Sequence, residues 1–316
     1  MKTVSVHIVT YNSAATIGHC IESVLKQTYP ISQFIIIDNF SSDRTLSIVE
    51  LYSNLTIVRN QHNVGFAEAH NQAIRMTASD FVFVLNPDMV LTDDFVEQLM
   101  RFAETKDRVG ALTGKLLLSF QPEIVDSTGL EIDRFRKVND RGAGSAAAQF
   151  TQSAEVFGVC GAAAFYSREM IRDISVFDEF FDKKFFAYKE DVDVAWRSQI
   201  FGWHSYYVST AIGYHERNWK KWARKKQARF IRQHSYINRY RMMVKNEEFL
   251  SFLTHFVFIL PYEIISNGYF LLREPFVFRA WVQFFKECKH LYRQRQFIAR
   301  RRRKKNKHIF QKWLNN

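Results

Sequence analysis

An aspartate, Asp88, follows one strongly apolar run of the chain and is placed to bind a metal ion. The run is Phe81–Leu85, and the proline at position 87 cannot continue a ladder of strand hydrogen bonds. Because ligands of open α/β sheets bind at the carboxyl ends of the strands, Asp88 can hold a divalent cation against a phosphate group. Asn-Pro-Asp is also ordinary turn chemistry before a helix that begins near residues 92–93, so the tripeptide alone leaves both interpretations open.

Two further carboxylates are placed to do chemistry. The apolar run Phe34–Asp38 also ends in an aspartate, so Asp38 and Asp88 mark two strand ends that can border one crevice for a nucleoside and its diphosphate. An acidic cluster that begins at Glu190 opens a helix, and the helix dipole alone explains carboxylates there. An ionised Asp191 that faces the same crevice is, alternatively, a general base for an incoming hydroxyl group.

Two common phosphate-binding motifs do not occur in the sequence. No GxGxxG follows the first strand, and no GxxxxGK[ST] occurs anywhere in the chain. Neither a dinucleotide-binding fold of that kind nor the phosphate loop of an NTPase is therefore supported. The diphosphate must be held in another way, and a metal ion on Asp88 is the candidate.

Alternating strands and helices must position these carboxylates. Buried apolar runs indicate strands, periodic apolar positions indicate helices, and their alternation predicts a mostly parallel sheet flanked by helices. In the first hundred residues the pattern predicts strand 4–10, a helix to about residue 27, strand 34–38, a helix, strand 55–58, a helix after residue 65 and strand 81–85. Residues 1–105 are therefore predicted to be a nucleotide-binding α/β half.

Residues 106–216 are predicted to be the acceptor-side, catalytic half. Scattered glycines indicate an irregular surface excursion over residues 109–150. A strand over 156–165 follows, in which Gly161 either lets a ligand approach the backbone or marks a bulge. A last strand, 203–208, leads to His215, which we expect in the next loop, where a lone histidine is usually a surface residue.

The charge is divided unevenly along the chain. Residues 217–316 hold 25 of the 44 Lys+Arg and 5 of the 32 Asp+Glu, a net charge of +20, which leaves a net charge of −8 on the first 216 residues. The three cysteines are odd in number, far apart and without zinc-binding spacing, which is typical of a reducing compartment. The amino terminus has no signal-peptide pattern, so we expect an acidic catalytic body that faces the cytosol and carries a basic tail.

The basic tail, residues 217–316, is rich in aromatic residues, among them Trp219 and Trp222. Its apolar run, 249–261, is about a dozen residues long and meets Pro261, short of the ~20 apolar residues that a bilayer span needs. We interpret the run as a helix in the interface of an anionic membrane. A helix packed on the catalytic domain and a nucleic-acid patch are the alternatives, and no nucleic-acid partner is predicted.

Taken in order, the motifs of residues 4 to 216 resemble the family 2 glycosyltransferases of the GT-A fold. The resemblance is greatest to the rhamnosyltransferase-type branch of bacterial polysaccharide assembly. The residues that carry it are Val9 to Asn12, Asp38-Asn39 with Ser42-Asp43, Asn63 to Phe66 with Asn71, Leu85 to Asp88, Cys160-Gly161, Phe177 to Glu179, and Phe185 to Arg197. Each motif is weak alone, but their order and spacing are specific.

The resemblance implies a role for each matching position. It implies that Asp38 contacts the pyrimidine base and that Asp43 fixes the same loop. Asp88, with His215, is implied to bind Mg2+ or Mn2+ at the diphosphate, and Asp191 is implied to be the catalytic base of an inverting displacement. The other donor-binding positions are Thr10, Asn12, Asn39, Asn63, Gly65, Asn71, Asn86, Gly161, Glu190, Trp196 and Arg197. Asn86 stands where many GT-A enzymes have the first carboxylate of Asp-x-Asp, although this branch commonly shows Asn-Pro-Asp.

The sequence therefore predicts a metal-dependent inverting glycosyltransferase, associated with the cytoplasmic face of the cell membrane. Residues 1–216 form the GT-A catalytic domain of this prediction, and residues 217–316 a basic, aromatic-rich helical extension for membrane association. The expected donor is dTDP-rhamnose, and the expected acceptor is a lipid-linked saccharide or a growing polysaccharide. A UDP-hexose donor and a catalytically silent nucleotide-sugar-binding scaffold are the alternatives, and a second copy of the chain is a candidate partner.

Overall fold

The computed structural model describes residues 1–216 and 227–314, which form one large mixed sheet covered by helices. Ten strands make the large sheet, and two more form a small separate ribbon. The strands are β1 (Val4–Thr10), β2 (Gln33–Asp38), β3 (Thr56–Arg59), β4 (Phe81–Leu85), β5 (Met89–Leu91), β6 (Val109–Leu118), β7 (Gln121–Ser127), β8 (Leu130–Ile132), β9 (Val138–Asp140), β10 (Ala154–Val156), β11 (Ala163–Ser167) and β12 (His204–His215).

The first half of the sheet is the parallel unit that the sequence predicts. In the order β10-β12-β6-β11-β4-β1-β2-β3, strand β1 runs parallel to both β4 and β2, and β2 runs parallel to β3. The connecting helices are α1 (Ile17–Leu25), α2 (Thr45–Val49), α3 (Gly65–Met76) and α4 (Phe95–Ala103). Because β1, β2 and β4 are parallel, the loops that follow them lie at one edge of the sheet.

Residues 109–118, the first part of the predicted surface excursion 109–150, form a buried strand instead. β6 is a largely buried strand inside the sheet, between β11 and β12. A Cβ atom on Gly110 would lie 2.5 Å from the sulfur of Met170, and one on Gly114 would lie 2.4 Å from the carbonyl oxygen of Ala211. Gly110 and Gly114 are therefore needed for close packing in a central strand. The prediction of irregular structure from these two glycines is wrong.

Two predicted strand boundaries also move. The predicted strand 156–165 is two strands, β10 and β11, which are separated by a turn that contains Gly161. β12 is 12 residues long, because it continues beyond the predicted end at Val208. His215 is its last residue and is buried, so it does not lie in a loop.

The predicted helical C-terminal extension is present. Two helices, α5 (Arg168–Ile174) and α6 (Glu190–Ile200), come between β11 and β12 along the chain. The extension after β12 consists of α7 (Arg229–Asn246), α8 (Phe249–Arg273), α9 (Ala280–Arg301) and α10 (Asn306–Leu314). The predicted short helix is wrong in length, since α8 has 25 residues and continues through Pro261. Proline removes the hydrogen bond to the carbonyl four residues earlier and crowds that carbonyl, which here belongs to the exposed Val257. Trp219 and Trp222 lie outside the described residues.

A buried charge cluster joins the extension to the first 216 residues. The ammonium group of Lys245 in α7 donates to Asp182 at 2.8 Å and to Asp193 of α6 at 3.0 Å, and Gln294 of α9 donates to Asp182 at 3.0 Å. Burial works to raise the pKa of Asp182, but Lys245 outweighs it and holds the pKa well below its usual range. All four side chains are almost completely buried.

The hydrophobic core crosses the same boundary. Met242 and Ile298, from α7 and α9, belong to one core cluster with the side chains of β1 and β4. From α10, Phe310 packs edge-on against Trp196 of α6, with 5.5 Å between the ring centroids. The division of the chain at residue 216 stays a prediction, and the described helices on its far side share the core of the catalytic half.

We expect Lys245→Met to lower the free energy of unfolding by about 3–5 kcal/mol at neutral pH, because it leaves the buried carboxylate of Asp182 without a counter-ion and leaves Asp193 with Arg197 alone. The folded-state pKa of Asp182 is depressed, so its ion pair contributes fully above the pKa of the unfolded carboxyl group, about 3.9, and is lost as the pH falls through the folded-state value. The difference between variant and wild type should therefore shrink in acid, as urea unfolding at neutral pH and near pH 3 would measure.

The control is Lys286→Met, which removes an exposed lysine from α9. It should change the unfolding free energy by less than about 0.5 kcal/mol. Equal stability of the two variants would contradict the importance of the buried cluster.

Candidate active site

The loop after β2 is organised by Asp38. Its carboxylate accepts hydrogen bonds from Oγ1 of Thr10, at 2.8 Å, and from the backbone N–H of Ser41, at 3.0 Å. Oγ of Ser41 donates a further bond to it. Asp38 is only 1% exposed, so it lies below the protein surface with Thr10 and shapes the loop after β2 through these hydrogen bonds. The predicted contact between Asp38 and a base stays a prediction.

Asn12 and Asp43 join the loops that follow β1 and β2. Oδ1 of Asn12 accepts a hydrogen bond from the backbone of Ser42 at 2.8 Å, and Oδ2 of Asp43 accepts one from the backbone of Ala14 at 3.1 Å. Burial works to raise the pKa of Asp43, but its hydrogen bonds, first those from Thr45, lower it. The cross-linked loops form one wall of the crevice.

Four predicted donor-binding residues are engaged in protein contacts around α3. Asn39 donates to the carbonyl of Gly65 at 3.1 Å, and Asn63 accepts from the N–H of Gly65 at 2.9 Å. The buried Asn71 exchanges two hydrogen bonds with the backbone of Phe181, at 2.7 and 3.0 Å. Asn71 thus fixes α3 against Phe181, while Asn39 and Asn63 organise the start of α3. The predicted contact of these residues with the donor stays a prediction.

Gly65 is the point of closest approach in this packing. It has φ +86°, and a Cβ atom there would lie 2.6 Å from the ring and the carbonyl oxygen of Phe186. The carbonyl of Phe186 in turn accepts from the N–H of Ala67 at 3.2 Å. The glycine therefore makes room for the loop that carries Phe186. The donor-binding role that the resemblance implies for Gly65 stays a prediction.

His215 lies between two carboxylates. Its Nε2 is 3.2 Å from Oδ1 of Asp88, and its Nδ1 is 2.8 Å from Oδ2 of Asp126. Burial alone would lower the pKa of His215, but the hydrogen bonds to Asp126 and Asp88 raise it to about 9. Sequence reasoning missed Asp126, because its partner His215 lies 89 residues away in sequence and its burial is visible only in the structure.

Asp88 and His215 fit a divalent cation as a partial ligand set once the ring of His215 has lost a proton, because only a neutral imidazole can bind a metal. The ring of His215 is held by Asp126 on its far side, an arrangement that commonly orients metal-binding histidines. Within residues 1–216 and 227–314 no group of three or more His, Cys, Asp or Glu side chains is arranged to hold a metal ion. Oxygen atoms of a bound diphosphate and water would have to complete the coordination, as is common for Mg2+.

Asp191 lies at the same edge of the sheet. It is the second residue of α6, it is partly exposed, and its Oδ2 accepts a hydrogen bond from the N–H of Gly161 at 3.0 Å. The next residue, Ala162, accepts from the N–H of Asn86 at 2.9 Å. The turn 160–162 thus bridges the start of α6 and the end of β4, two residues before Asp88.

Glu190, the residue before Asp191, lies in surroundings that favour its protonated form. Glu190 is buried, and within the described part of the chain its Oε2 has no hydrogen-bond partner. Burial, followed by the charge of Asp191, raises the pKa of Glu190 to about 8. Burial also raises the pKa of Asp191, against the hydrogen bonds from Gly161 and Val192 that lower it. Near neutral pH Glu190 holds a proton, and Asp191 is a stronger base than an ordinary aspartate.

Trp196 and Arg197 lie inside the protein, which does not support their predicted contact with the donor. Arg197 is 1% exposed, and it donates to Asp193 at 3.0 Å and to the carbonyls of Ile174 and Phe180, both at 2.6 Å. Trp196 is fully buried. Both residues follow Asp191 by more than one helical turn, so the helix carries them away from the crevice and into the core.

Known proteins resemble this chain in sequence. Residues 5–175 match the family model of glycosyl transferase family 2. Poly-beta-1,6-N-acetyl-D-glucosamine synthase of Staphylococcus epidermidis is 23% identical over 219 residues, which cover 67% of this chain and 49% of that protein. The UDP-Glc:alpha-D-GlcNAc-diphosphoundecaprenol beta-1,3-glucosyltransferase WfaP of Escherichia coli is 31% identical over 108 residues, 34% of this chain and 43% of that protein. The matches span less than half the length of these two curated relatives.

Solved structures resemble the chain in fold. The crystal structure of GalNAc-T7 with UDP, GalNAc and Mn2+ superposes with a TM-score of 0.60 and 16% sequence identity, and the match covers 78% of this chain and 49% of that one. At this identity the likeness concerns the fold. The predicted GT-A architecture, a mostly parallel sheet flanked by helices, is confirmed.

We expect Asp126→Asn to weaken the binding of Mn2+ by about 10–100-fold, because the amide no longer holds His215 as a charged partner does. Calorimetric titration of Mn2+ in the presence of UDP would measure the affinity. The control is Glu123→Gln, which removes one negative charge from an exposed position of the same strand. An Mn2+ affinity that is the same in both variants would count against a metal site at His215.

Proposed function

Because the chain belongs to glycosyl transferase family 2, we propose that it moves a sugar from a nucleotide donor to a saccharide acceptor in the assembly of a polysaccharide. The observation that carries this proposal is the turn 160–162, which joins the base Asp191 to the strand end that bears Asp88. A general base and a holder of the leaving group at one sheet edge are what transfer to a hydroxyl group requires.

The nucleoside of the donor is proposed to lie over the loops that Asp38, Asn12 and Asp43 organise. Two large aromatic side chains on these loops, Tyr11 and Phe40, are 54% and 60% exposed and offer faces for a base. We propose dTDP-rhamnose as the donor. The name of WfaP, which specifies UDP-Glc, favours a UDP-hexose as the second candidate.

In the proposed reaction the acceptor oxygen attacks the anomeric carbon as the bond from that carbon to the diphosphate oxygen breaks, with inversion. Asp191 accepts the proton of the acceptor hydroxyl, and the protonated Glu190 leaves it the ionised member of the pair. The N–H of Gly161 orients the Asp191 carboxylate. A divalent cation held by Asp88 and His215 would offset the negative charge that grows on the diphosphate.

The acceptor is proposed to be a lipid-linked saccharide or a growing polysaccharide, met at the cytoplasmic face of the cell membrane. WfaP is named for an acceptor on diphosphoundecaprenol, and the poly-N-acetylglucosamine synthase for its polymer. The C-terminal extension supplies a surface for such a membrane. Of the helices that the structure describes, α8 is the one that is long and apolar enough to cross a bilayer.

The contacts of α8 favour an orientation parallel to the membrane surface. It is tied to the rest of the protein near its start, where Ser251 accepts from Arg136, and near its end, where Phe270 packs on Tyr236 of α7. Between them Glu263 pairs with Arg239 at 2.7 Å. These contacts span roughly 29 Å of helix, at 1.5 Å per residue. A helix held along this length lies against the protein and offers only its outer side to lipid.

The outer side of α8 is apolar and exposed. Leu250, Ile265 and Leu272 have 75%, 74% and 83% of their surface exposed. Apolar patches of this kind on a protein surface mark interaction sites. The net charge of +20 on residues 217–316 would draw this side of the molecule toward anionic lipid. We therefore propose that α8 is embedded in the headgroup region, with its length in the membrane plane.

A donor panel tests the proposed reaction. Purified protein with Mn2+ should release nucleoside diphosphate from one of dTDP-rhamnose, UDP-glucose, UDP-galactose and UDP-N-acetylglucosamine, and EDTA should abolish the release because the cation offsets the charge of the leaving group. Asp191→Asn should bind that donor with nearly unchanged affinity and lose transfer by about 10²–10⁴-fold, since it removes a positioned base.

The control for this variant is Asp107→Asn, at the opposite end of the sheet before β6, which should transfer normally. Donor binding without release in the wild type would favour the silent scaffold. Substantial turnover by Asp191→Asn would overturn the assignment of the base.

The proposed membrane surface predicts a loss of vesicle binding in the double variant Ile265→Asp, Leu272→Glu. Sedimentation with vesicles that contain phosphatidylserine should show binding at least about tenfold weaker, because burial of each apolar side chain contributes about 1.5–3 kcal/mol. The control Leu51→Glu places a charge at an equally exposed leucine, 80% exposed, beyond α2 and should bind normally. Unchanged binding by the double variant would exclude this surface, and resistance of the wild type to alkaline carbonate extraction would instead indicate a spanning helix.

A further inference from the structure

The loop that leads into α6 has an unusual backbone. Phe186, Tyr188 and Lys189 have φ of +60°, +71° and +69°, in the left-handed region that residues with a side chain rarely adopt. Asp191 follows two residues after the last of them. A bulky residue persists in this region only where its surroundings hold it, and such positions cluster at functional sites. The loop 185–189 therefore leads, through a strained backbone, directly into the helix that carries Asp191.

Phe230 and His234 of the C-terminal extension pack on Phe186 of this loop, and one further side chain binds the loop backbone. Asn238 in α7 is completely buried, and its Nδ2 donates to the carbonyls of Phe185 at 2.8 Å, Ala187 at 3.1 Å and Tyr188 at 2.8 Å. An amide nitrogen carries two protons, so three carbonyls that converge on it share them. Carbonyl dipoles that point at one another repel, and the N–H groups of Asn238 replace that repulsion with attraction.

Asn238 is itself held in place by a hydrogen bond from Arg241. Its Oδ1 accepts a hydrogen bond from Arg241 at 2.8 Å, which determines which end of the amide faces the loop. Arg241 is paired with Glu287 of α9, at 2.8 Å and 3.1 Å from its two donor nitrogens. The buried chain Glu287, Arg241, Asn238 thus runs from α9 through α7 to the loop, with charged hydrogen bonds that are stronger than neutral ones.

We propose that Asn238 is a positioning residue for glycosyl transfer, which acts by holding the loop 185–189 so that Asp191 points at the acceptor. This inference rests on the proposed function, because it takes Asp191 as the base. It gives the C-terminal extension a role in the chemistry in addition to membrane contact. On the opposite side of the loop, Gly65 leaves room for Phe186, so the loop is held between α3 and α7.

The test compares Asn238→Ala and Asn238→Asp with Asn267→Ala in the full-length protein. Asn238→Asp keeps the shape and the acceptor for Arg241 but removes the donor. Asn267 is a matched control, since its amide makes a similar number of hydrogen bonds, to Tyr240 and Glu263, without contact with the loop. Hydrogen exchange of residues 185–192, donor affinity and transfer rate are measured for each, after thermal unfolding has shown which variants fold.

In the two Asn238 variants we expect exchange of the loop amides to be at least about tenfold faster, since the loop opens locally. Donor affinity should stay within about twofold of the wild type, while the transfer rate falls about 10²-fold, the effect of a reacting group misplaced by about 1 Å. The Asn267 variant should show neither change. If Asn238→Ala does not fold, the loop exchange, donor affinity and transfer rate of Asn238→Asp alone test the role of Asn238.

Loop exchange and a transfer rate that match those of Asn267→Ala would overturn the role of Asn238. A fall in donor affinity as large as the fall in transfer would also overturn it, because that pattern belongs to general damage of the site. If the wild type transfers no sugar, the proposed function fails, and faster loop exchange in the Asn238 variants alone still shows that α7 holds the loop.

Discussion

The ammonium group of Lys245 lies between the carboxylates of Asp182 and Asp193, and the fit of the two parts of the chain depends on this contact. A charge buried in a protein interior is strongly unfavourable unless an opposite charge and hydrogen bonds accompany it. Asp193 belongs to the helix that Asp191 opens, and Asp182 precedes the left-handed loop. Lys245, a side chain of the basic tail, therefore holds both the segment before this loop and the helix that carries Asp191.

The parts of the fold that sequence patterns predict are those in which local pattern and burial agree. The run that became β4 is apolar throughout, and β1 and β2 are largely buried in the sheet although each contains polar residues. The ends of these strands place Asp38 and Asp88 where parallel topology requires. The pattern fails for β6 because its glycines serve contacts with residues far away in sequence. It fails for α8 because the residues after Pro261 resume the helix against α7, which local proline chemistry does not reveal.

The site follows the same rule. Residues whose function requires exposure, Asp88 and Asp191, could be found by their type and their position at the end of a strand or the start of a helix. Thr10, Asn71 and Arg197 carry the same motif signal, but the structure uses them to hold loops and helices together. Asp126 and Asn238 act through partners 89 and at least 50 residues away in sequence, so no spacing rule could indicate them.

The Lys245 contact also has a consequence for how the protein is made. A ribosome releases the amino-terminal part first, and 63 residues separate Asp182 from the lysine that neutralises it. At about 5–20 residues per second, the nascent chain waits about 3–13 s before that ammonium group exists, and longer before α9 and α10 can close the core. During this interval the carboxylate of Asp182 has no ammonium partner and burying it is unfavourable. The first 216 residues therefore complete their core only after α7, α9 and α10 have been made, and a chain that stops before these helices exposes unfinished core to chaperones and proteases.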